Sequence, residues 1–414
     1  MKIGFQIEDL DPARGGAETY VYRFAEELLA AGHEVHLIAA AFGATPAGAY
    51  THRVMRRGLT RSSRDVHFAF AAGRAARRAG LAGGRAGLDG VVAVGRTLGA
   101  DVLQPHGGTL RGNRRQNLRL IRGPVLRELK RAFDVLNPKT RTHLWIESKQ
   151  FSASPPPQVV AISRMVLRDM KEFYAVPDER LHLVYNGVDL ERFSPSVCDD
   201  CRADARAAYG LAPDETCFLI VAHNFRLKGV RELVDAAARL DLAPPRHDGR
   251  PGSAGPPRPD GRDPWRLIVI GKENPKPYLE RAARLGCADR FLFPGAAADV
   301  VPAYAAADVY VQPTWYDPCS LVVLEALACG RPVITTRFNG AAELMEDGRE
   351  GFLLDAPDQI DRLAEAMKRL LNPALRARMA AAARLAVEPY SIQRNFREMM
   401  AVLERAADLK EKFS

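Results

Sequence analysis

The stretch from Thr314 to Gly330 holds two carboxylates, Asp317 and Glu325, in an otherwise largely apolar segment. Ser320 has the side chain of a helix N-cap, the residues from Leu321 to Cys329 read as the helix, and Gly330 reads as its stop. The amino end of such a helix offers free N–H groups and the positive end of the dipole, which together attract anions. Glu325 falls about one and a half turns into that apolar helix. A buried carboxylate there needs donors. A pair of ribose hydroxyls would provide them, and so would groups of the protein itself.

The second chemical feature is positive charge. Residues 53–131 carry 18 Lys and Arg against Asp65, Asp89, Asp101 and Glu128 alone. Residues 1–190 hold 28 basic and 18 acidic side chains, and the remainder 31 and 32, so the net charge of +9 arises entirely in the first part. Phosphates or acidic lipid headgroups are the natural partners of such a face, with a merely solvated surface as the plain alternative.

The elements that must position these residues follow from the apolar pattern. Ile3-Gly4-Phe5-Gln6-Ile7 reads as a strand, Asp9 to Gly16 as a glycine-containing loop, and Val21, Phe24, Ala25, Leu28 and Leu29 as one face of a helix ended by Gly32. Val35 to Ile38 is the next strand, which opens a doubly wound parallel sheet. Val102-Leu103 precedes Pro105-His106-Gly107-Gly108, and Val159 to Ile162 precedes the N-cap Ser163. The pattern restarts at Cys217–Ala222, followed by a loop ending at Lys228-Gly229, a helix through Leu240, and strands at 267–270, 291–293, 309–311 and 332–335. Two α/β domains are therefore expected, residues 1–188 and 189–390. A final amphipathic helix within 391–414 returns to complete the first. Residues 241–264, with seven Pro and four Gly, read as a surface insertion. In two such tandem sheets the carboxyl ends face a central cleft, where ligands bind.

Composition narrows the class. With 414 residues, 47% apolar and 26% charged, the chain fits neither wholesale disorder nor an integral membrane bundle. No apolar run of about 18 residues spans a bilayer, and Met1-Lys2 leads into a strand without a signal core. Six cysteines give no disulfide framework, so the cytoplasm is the expected compartment. Cys198-Asp199-Asp200-Cys201 lacks a second ligand pair at zinc spacing, and no metal is expected.

At this point the residues carry a resemblance. Asp317 and Glu325 with Pro318-Cys319-Ser320-Leu321 between them and Gly330-Arg331-Pro332-Val333 after resemble the paired-acid signature of retaining glycosyltransferases of family 4, which have the GT-B fold of two Rossmann-like domains. Four further runs fall in the family's order: Gly15-Gly16-Ala17-Glu18, Tyr185-Asn186-Gly187-Val188-Asp189, Lys228-Gly229, and Asn339-Gly340 followed by Glu343. Asn224 to Gly229 is most similar to the lipopolysaccharide core glucosyltransferase I branch.

The resemblance implies a nucleotide diphosphate sugar as donor, probed as UDP-glucose on the nearest branch, and transfer of a hexose without a bound metal or other cofactor. Lys228, then Arg226, are the cations expected at the diphosphate, with Gly15 and Gly16 removing side chains from its approach and Ser320, Leu321 and Glu325 completing the donor site. Family members commonly have an Arg about six residues before the Lys, where Ala222 stands here. His106 matches a histidine placed near the transferred sugar, and Asp317 stands where Glu is usual, bearing on the choice of sugar. Retention is implied to proceed by same-face displacement, the leaving phosphate deprotonating the acceptor. The acceptor is expected on the first domain, where Arg111, Arg114, Arg115 and Arg119 follow the His106 loop. A lipopolysaccharide core or other lipid-linked envelope glycan, met by a peripheral enzyme at the inner face of the membrane, would satisfy those charges.

Three rivals stand beside this reading. A nucleic-acid-binding protein would use the same basic run, but aromatic interleaving and a recognised module are lacking. A dinucleotide oxidoreductase would need G-x-G-x-x-G and a ribose-binding acid after the second strand, where Ala39-Ala40 stand. A catalytically inactive GT-B scaffold is the third.

Overall fold

The computed structural model describes residues 1–413 apart from 14, 80–86, 122 and 243–264. They separate into two compact units, Met1–Asn186 with Gln393–Ser414, and Gly187–Ile392. The boundary lies two residues before the one expected from the Asn-Gly turn.

The first unit is built on seven parallel strands. β1 (Lys2–Gln6) lies between β3 (Glu34–Ala39) and β6 (Gly90–Ala93), with β5 (Tyr50–Arg53) outside β3 and β7 (Val102–Leu103), β8 (Gln158–Ala161) and β9 (Leu181–Leu183) beyond β6. A short ladder of β2 (Asp9–Leu10) with β4 (Ala41–Phe42) extends the β1 and β3 ends. Parallel sheets are covered on both faces, so their strands are apolar on both. On one face Ile3, Phe5, Val35 and Leu37 pack with Phe24 and Leu28 of α1 (Gly16–Ala30) and with Met399 and Leu403 of α14 (Ile392–Phe413). On the other, Ile38 and Val91 meet Phe68, Ala72 and Ala76 of α2 (Arg61–Ala79). Four more helices follow in sequence: α3 (Leu110–Arg119), α4 (Pro124–Leu136), α5 (Pro138–Phe151) and α6 (Arg164–Tyr174). Ser163 caps α6 by accepting from the Val166 amide.

The second unit repeats the plan. Its six parallel strands run in the order β12 (Phe291–Gly295), β11 (Trp265–Ile270), β10 (Thr216–Val221), β13 (Val309–Gln312), β14 (Val333–Thr336), β15 (Gly351–Leu354). One face is covered by α8 (Val230–Leu242), α9 (Lys276–Arg284) and α12 (Ile360–Arg369), where Phe218, Trp265 and Leu267 meet Leu233, Val234, Leu363 and Met367. α7 (Pro195–Ala208), α10 (Val301–Ala306), α11 (Leu321–Ala328) and α13 (Pro373–Val387) complete it.

In each sheet the strand order reverses beside the first strand of the unit, between β1 and β6 and between β10 and β13. Loops leaving the carboxyl ends of strands at such a reversal diverge and leave room for a ligand. In the second unit those loops are residues 222–229 and 313–320, which carry Lys228 and Asp317.

The apolar pattern missed β2, β4, β5, β6, β9 and β15, all four residues or fewer. Nearly all of the insertion expected at 241–264 lies outside the described residues, since α8 runs through 242. Arg122 of the basic run also lies outside them.

Candidate active site

The two loops at the second reversal are stitched together by backbone. The Leu227 carbonyl accepts from the Trp315 amide at 2.9 Å and from Thr314 Oγ1 at 3.1 Å. Asn224 folds the first loop, its side chain accepting from the Leu227 amide and its carbonyl from the Lys228 amide, both at 2.9 Å. Gly229 is needed where it stands, because its φ of +82° suits glycine and a Cβ there would lie 2.1 Å from the Pro313 carbonyl oxygen. The result is a close ion pair, with Lys228 Nζ 2.5 Å from Asp317 Oδ2. Asp317 is 8% exposed. Its backbone is held on both sides by residues 338–340, its amide donating to the Phe338 carbonyl and its carbonyl accepting from the Gly340 amide of the Asn339-Gly340 run. Two runs singled out in the sequence thus meet at one point. Arg226 lies exposed on the same loop, near Tyr278, whose phenol is held above its ordinary pKa by burial and by the neighbouring Glu273 and Glu232.

Ser320 opens α11, but its side chain does not cap it. The hydroxyl instead donates to Gln312 Oε1 at 3.1 Å, and the Ser320 amide donates to Asn339 Oδ1 at 3.3 Å. Asn339 Nδ2 reaches the same Gln312 oxygen at 3.2 Å. Gln312, fully buried at the end of β13, therefore fixes where the helix begins. The N-cap expectation fails at Ser320 because a buried acceptor outcompetes the helix amides. Leu321 is the first helical residue and half-buried.

Glu325 finds a donor within the protein. Tyr304, fully buried, places its hydroxyl 2.9 Å from Glu325 Oε2 and 3.0 Å from the Val322 carbonyl. Burial first, then the neighbouring Glu325 charge, raises the tyrosine well above its ordinary pKa, so it stays protonated and available as donor. Of the two suppliers the sequence left open, the protein answers at least one oxygen.

In the first unit Gly15 is the N-cap residue of α1 and Gly16 its first residue, so the pair opens the helix and does not lie within the loop. A Cβ on Gly15 would approach Glu18 Oε2 to 2.8 Å. His106 packs against Tyr20 of α1 with ring centroids 4.2 Å apart and the rings tilted by 44°, and the Tyr20 hydroxyl accepts from Gln104 Nε2 at 3.1 Å. His106 Nε2 is buried without a hydrogen-bond partner among the described residues. Burial pushes its pKa down to about 3, leaving a neutral ring.

The basic run folds into α3 and α4 around a hollow of about 470 Å³ lined by Arg111, Arg114, Arg115, Arg119, Arg127 and Arg131, with Leu118 and Phe173. Part of this charge is answered. Arg115 pairs with Asp169 and Glu172, each at 2.7 Å, and Arg111 donates to the Phe173 carbonyl at 3.2 Å. Arg114 pairs with Asp134 at 3.9 Å and Arg131 with Glu128 at 3.0 Å, so the hollow attracts anions through its excess of guanidinium groups over these carboxylates.

Sequence reasoning passed over Tyr304, Gln312 and Tyr20. Their signal is only that a buried polar side chain must have a partner, and one sequence does not show which. Cys198 and Cys201 are free thiols, and among the described residues no group of three or more His, Cys, Asp or Glu is placed to hold a metal ion. No helix of the described residues is long and apolar enough to cross a membrane.

Comparison with known proteins matches residues 14–192 to the family described as Glycosyltransferase Family 4 and residues 216–373 to Glycosyl transferases group 1. Among curated relatives, the D-inositol 3-phosphate glycosyltransferase of Saccharomonospora viridis is 32% identical over 295 residues, covering 66% of this chain and 62% of that protein. The protein of that name from Geodermatophilus obscurus is 32% identical over 61% of this chain and 53% of its own length. The chain thus spans less than two thirds of these relatives. Among solved structures, WaaG, a glycosyltransferase involved in lipopolysaccharide biosynthesis, superimposes with a TM-score of 0.77 at 21% identity, covering 98% of this chain and 99% of that one. HepE from Anabaena, in complex with UDP and glucose, gives 0.67 at 18% identity over 98% and 99%. Both similarities establish the fold, two Rossmann-like α/β domains of the GT-B type.

Proposed function

We propose that this chain, which carries a Glycosyltransferase Family 4 domain followed by a glycosyl transferases group 1 domain, is a retaining hexosyltransferase using a nucleotide diphosphate sugar and a phosphorylated acceptor. The observation that carries the reading is the Lys228–Asp317 pair at the strand reversal of the second unit, beside the amino end of α11.

A sugar leaving its nucleotide builds charge on the diphosphate oxygens. Fixed cations and oriented N–H groups stabilise that charge most when they are in place beforehand. Lys228 and the first amides of α11 are so held, with Arg226 as a second cation on the same loop. Asp317, released from Lys228 by the diphosphate, accepts from a sugar hydroxyl, and Glu325 uses its remaining acceptor capacity on the ribose. In the transfer the bond from the anomeric carbon to the phosphate oxygen breaks as the acceptor oxygen bonds to the same face. The departing phosphate oxygen takes the acceptor's proton. On the first unit, neutral His106 offers a hydrogen bond to a sugar hydroxyl, and the arginine hollow receives the acceptor's phosphate.

UDP-glucose is the donor we favour, supported by the fold-level likeness to HepE with UDP and glucose. For the acceptor, the likeness to WaaG supports a lipopolysaccharide core or lipid-linked envelope glycan, and the inositol phosphate relatives support a smaller phosphorylated alcohol. A phosphate is common to both. The basic face suits an enzyme working at the inner surface of the cell membrane. Calorimetric titration of UDP-glucose and of a guanosine diphosphate sugar against wild type and Lys228→Ala tests the donor half. Heat from the wild type that is lost in the variant is expected, and no heat from any nucleotide sugar would sink the reading.

A further inference from the structure

α11 begins with a serine that does not cap it. Leu324 is the first residue of the helix whose amide closes a helical bond, to the Ser320 carbonyl at 3.3 Å. The amides of Leu321, Val322 and Val323 have no partner within the helix. A serine at the N-cap ordinarily answers the second or third of these with its hydroxyl. Ser320 stands at the N-cap, and its side chain answers none of them.

Gln312 withholds the hydroxyl. Asn339 Oδ1 accepts from two backbone amides, Ser320 at 3.3 Å and Ala341 at 3.1 Å, which leaves Nδ2 as the donor toward Gln312. The Gln312 atom facing it must therefore be the oxygen. That oxygen also accepts from the Ser320 hydroxyl at 3.1 Å, so both of its lone pairs are used. Gln312 is anchored through its own carbonyl, which accepts from Thr335 Oγ1 and from the Thr314 amide, both at 2.8 Å. Its Nε2, by contrast, is buried with no hydrogen-bond partner among the described residues. An orphaned buried N–H costs stability, and a methionine of similar size would avoid that cost. What distinguishes the glutamine is its oxygen. Asn339 Nδ2 has a second acceptor in Thr335 Oγ1 at 3.2 Å, so Ser320 is the side chain that depends on that oxygen.

We infer that Gln312 is a positioning residue of the donor site: it keeps Ser320 from capping α11, so that the amides of Val322 and Val323 stay open to a diphosphate group. The inference rests on the preceding reading for the identity of the ligand, and it adds the reason why an N-cap serine and an anion site coexist at one helix end. A helix capped by its own serine offers an anion an amide that is already bonded, and the anion must displace the hydroxyl to reach it. Charge plays no part in this control, since neither Gln312 nor Ser320 carries any.

Calorimetric titration of UDP and of inorganic pyrophosphate against the full chain as wild type, Gln312→Met, Ser320→Ala and the double variant reads the control. Gln312→Met, its serine hydroxyl released onto the helix, binds both ligands about fivefold more weakly, the factor expected of an ordinary cap. In the Ser320→Ala background the same substitution has no further effect, because no hydroxyl is left to withhold. A glutamine that only supports packing would weaken binding equally in both backgrounds, and that result overturns the inference. A crystal structure of Gln312→Met is expected to show Ser320 Oγ at hydrogen-bond distance from the Val322 or Val323 amide, and Oγ elsewhere overturns it too. Should that variant not fold, Gln312→Asn, which withdraws the oxygen by one methylene, is read in the same way. The pyrophosphate arm keeps the two readings apart. Pyrophosphate binding that follows this pattern without any binding of UDP or UDP-glucose sinks glycosyl transfer and leaves the role of Gln312 standing, whereas equal binding of UDP-glucose by all four proteins does the reverse. A wild type that binds neither ligand overturns both.

Discussion

Lys228 Nζ stands 2.5 Å from Asp317 Oδ2, although the two residues are 89 positions apart and leave different strands. Each neutralises the other until a ligand with more charge arrives. Asp317→Asn frees the lysine and should tighten nucleoside diphosphate binding about three- to tenfold while lowering transfer. Lys228→Ala strands a buried carboxylate, costing about 1–3 kcal/mol in urea unfolding, and weakens the nucleotide about 10–100-fold. Tighter binding in Asp317→Asn is the deciding result, since a purely structural pair would give looser binding in both variants.

Gly229→Ala should act on the same site through the backbone. Its φ of +82° and the 2.1 Å approach to the Pro313 carbonyl leave no room for a methyl group. A loss of at least about 2 kcal/mol is expected, with Lys228 displaced and donor binding impaired. Thermal unfolding and calorimetry check both, and an alanine variant as stable as wild type contradicts the packing described.

Tyr304→Phe removes the hydroxyl at 2.9 Å from Glu325 Oε2. About 1–2 kcal/mol of stability should go with it. Nucleotide affinity should fall as well, because the carboxylate loses the bond that orients it. Glu325→Ala should weaken the nucleotide further. Unchanged urea stability in Tyr304→Phe would show that this bond carries nothing.

His106 predicts a pH dependence. The native ring is held at a pKa of about 3 by burial, against about 6.5 in the unfolded chain. Above the unfolded value both states are neutral and the stabilisation is complete. As pH falls from about 6.5 toward 3 the unfolded chain takes up the proton first, and stability drops by up to about 1.4 kcal/mol per pH unit. His106→Phe should therefore lose stability less steeply than wild type between pH 6.5 and pH 4, read from urea midpoints. Parallel slopes would place the ring in water.

The alternation of strand and helix was legible because parallel strands covered on both faces read as apolar runs, Cys217 to Val221 most clearly. Lys228-Gly229, Asp317 and Asn339-Gly340 could be picked out one by one, and only the strand reversal explains why they meet. Tyr304 and Gln312 were not legible, since a buried tyrosine or glutamine looks in sequence like any other interior residue and its partner is a fact of three dimensions. α4, none of whose residues is buried, escaped for a different reason. Its apolar residues carry the same period as a core helix, and no one-dimensional pattern says which face the protein occupies.

The first unit takes its last helix, α14, from beyond residue 391, and Met399, Val402 and Leu403 lie inside its core beside Phe24 and Leu37. During synthesis the whole of the second unit must therefore leave the ribosome before the first can seal. Residues 1–186 wait as an open sheet, with apolar surface available to chaperones, while 187–392 already hold everything their own core requires. Proteolysis of ribosome-stalled chains should show protection arising in the later-made unit first. Earlier protection of the first unit would mean that its sheet closes without the returning helix.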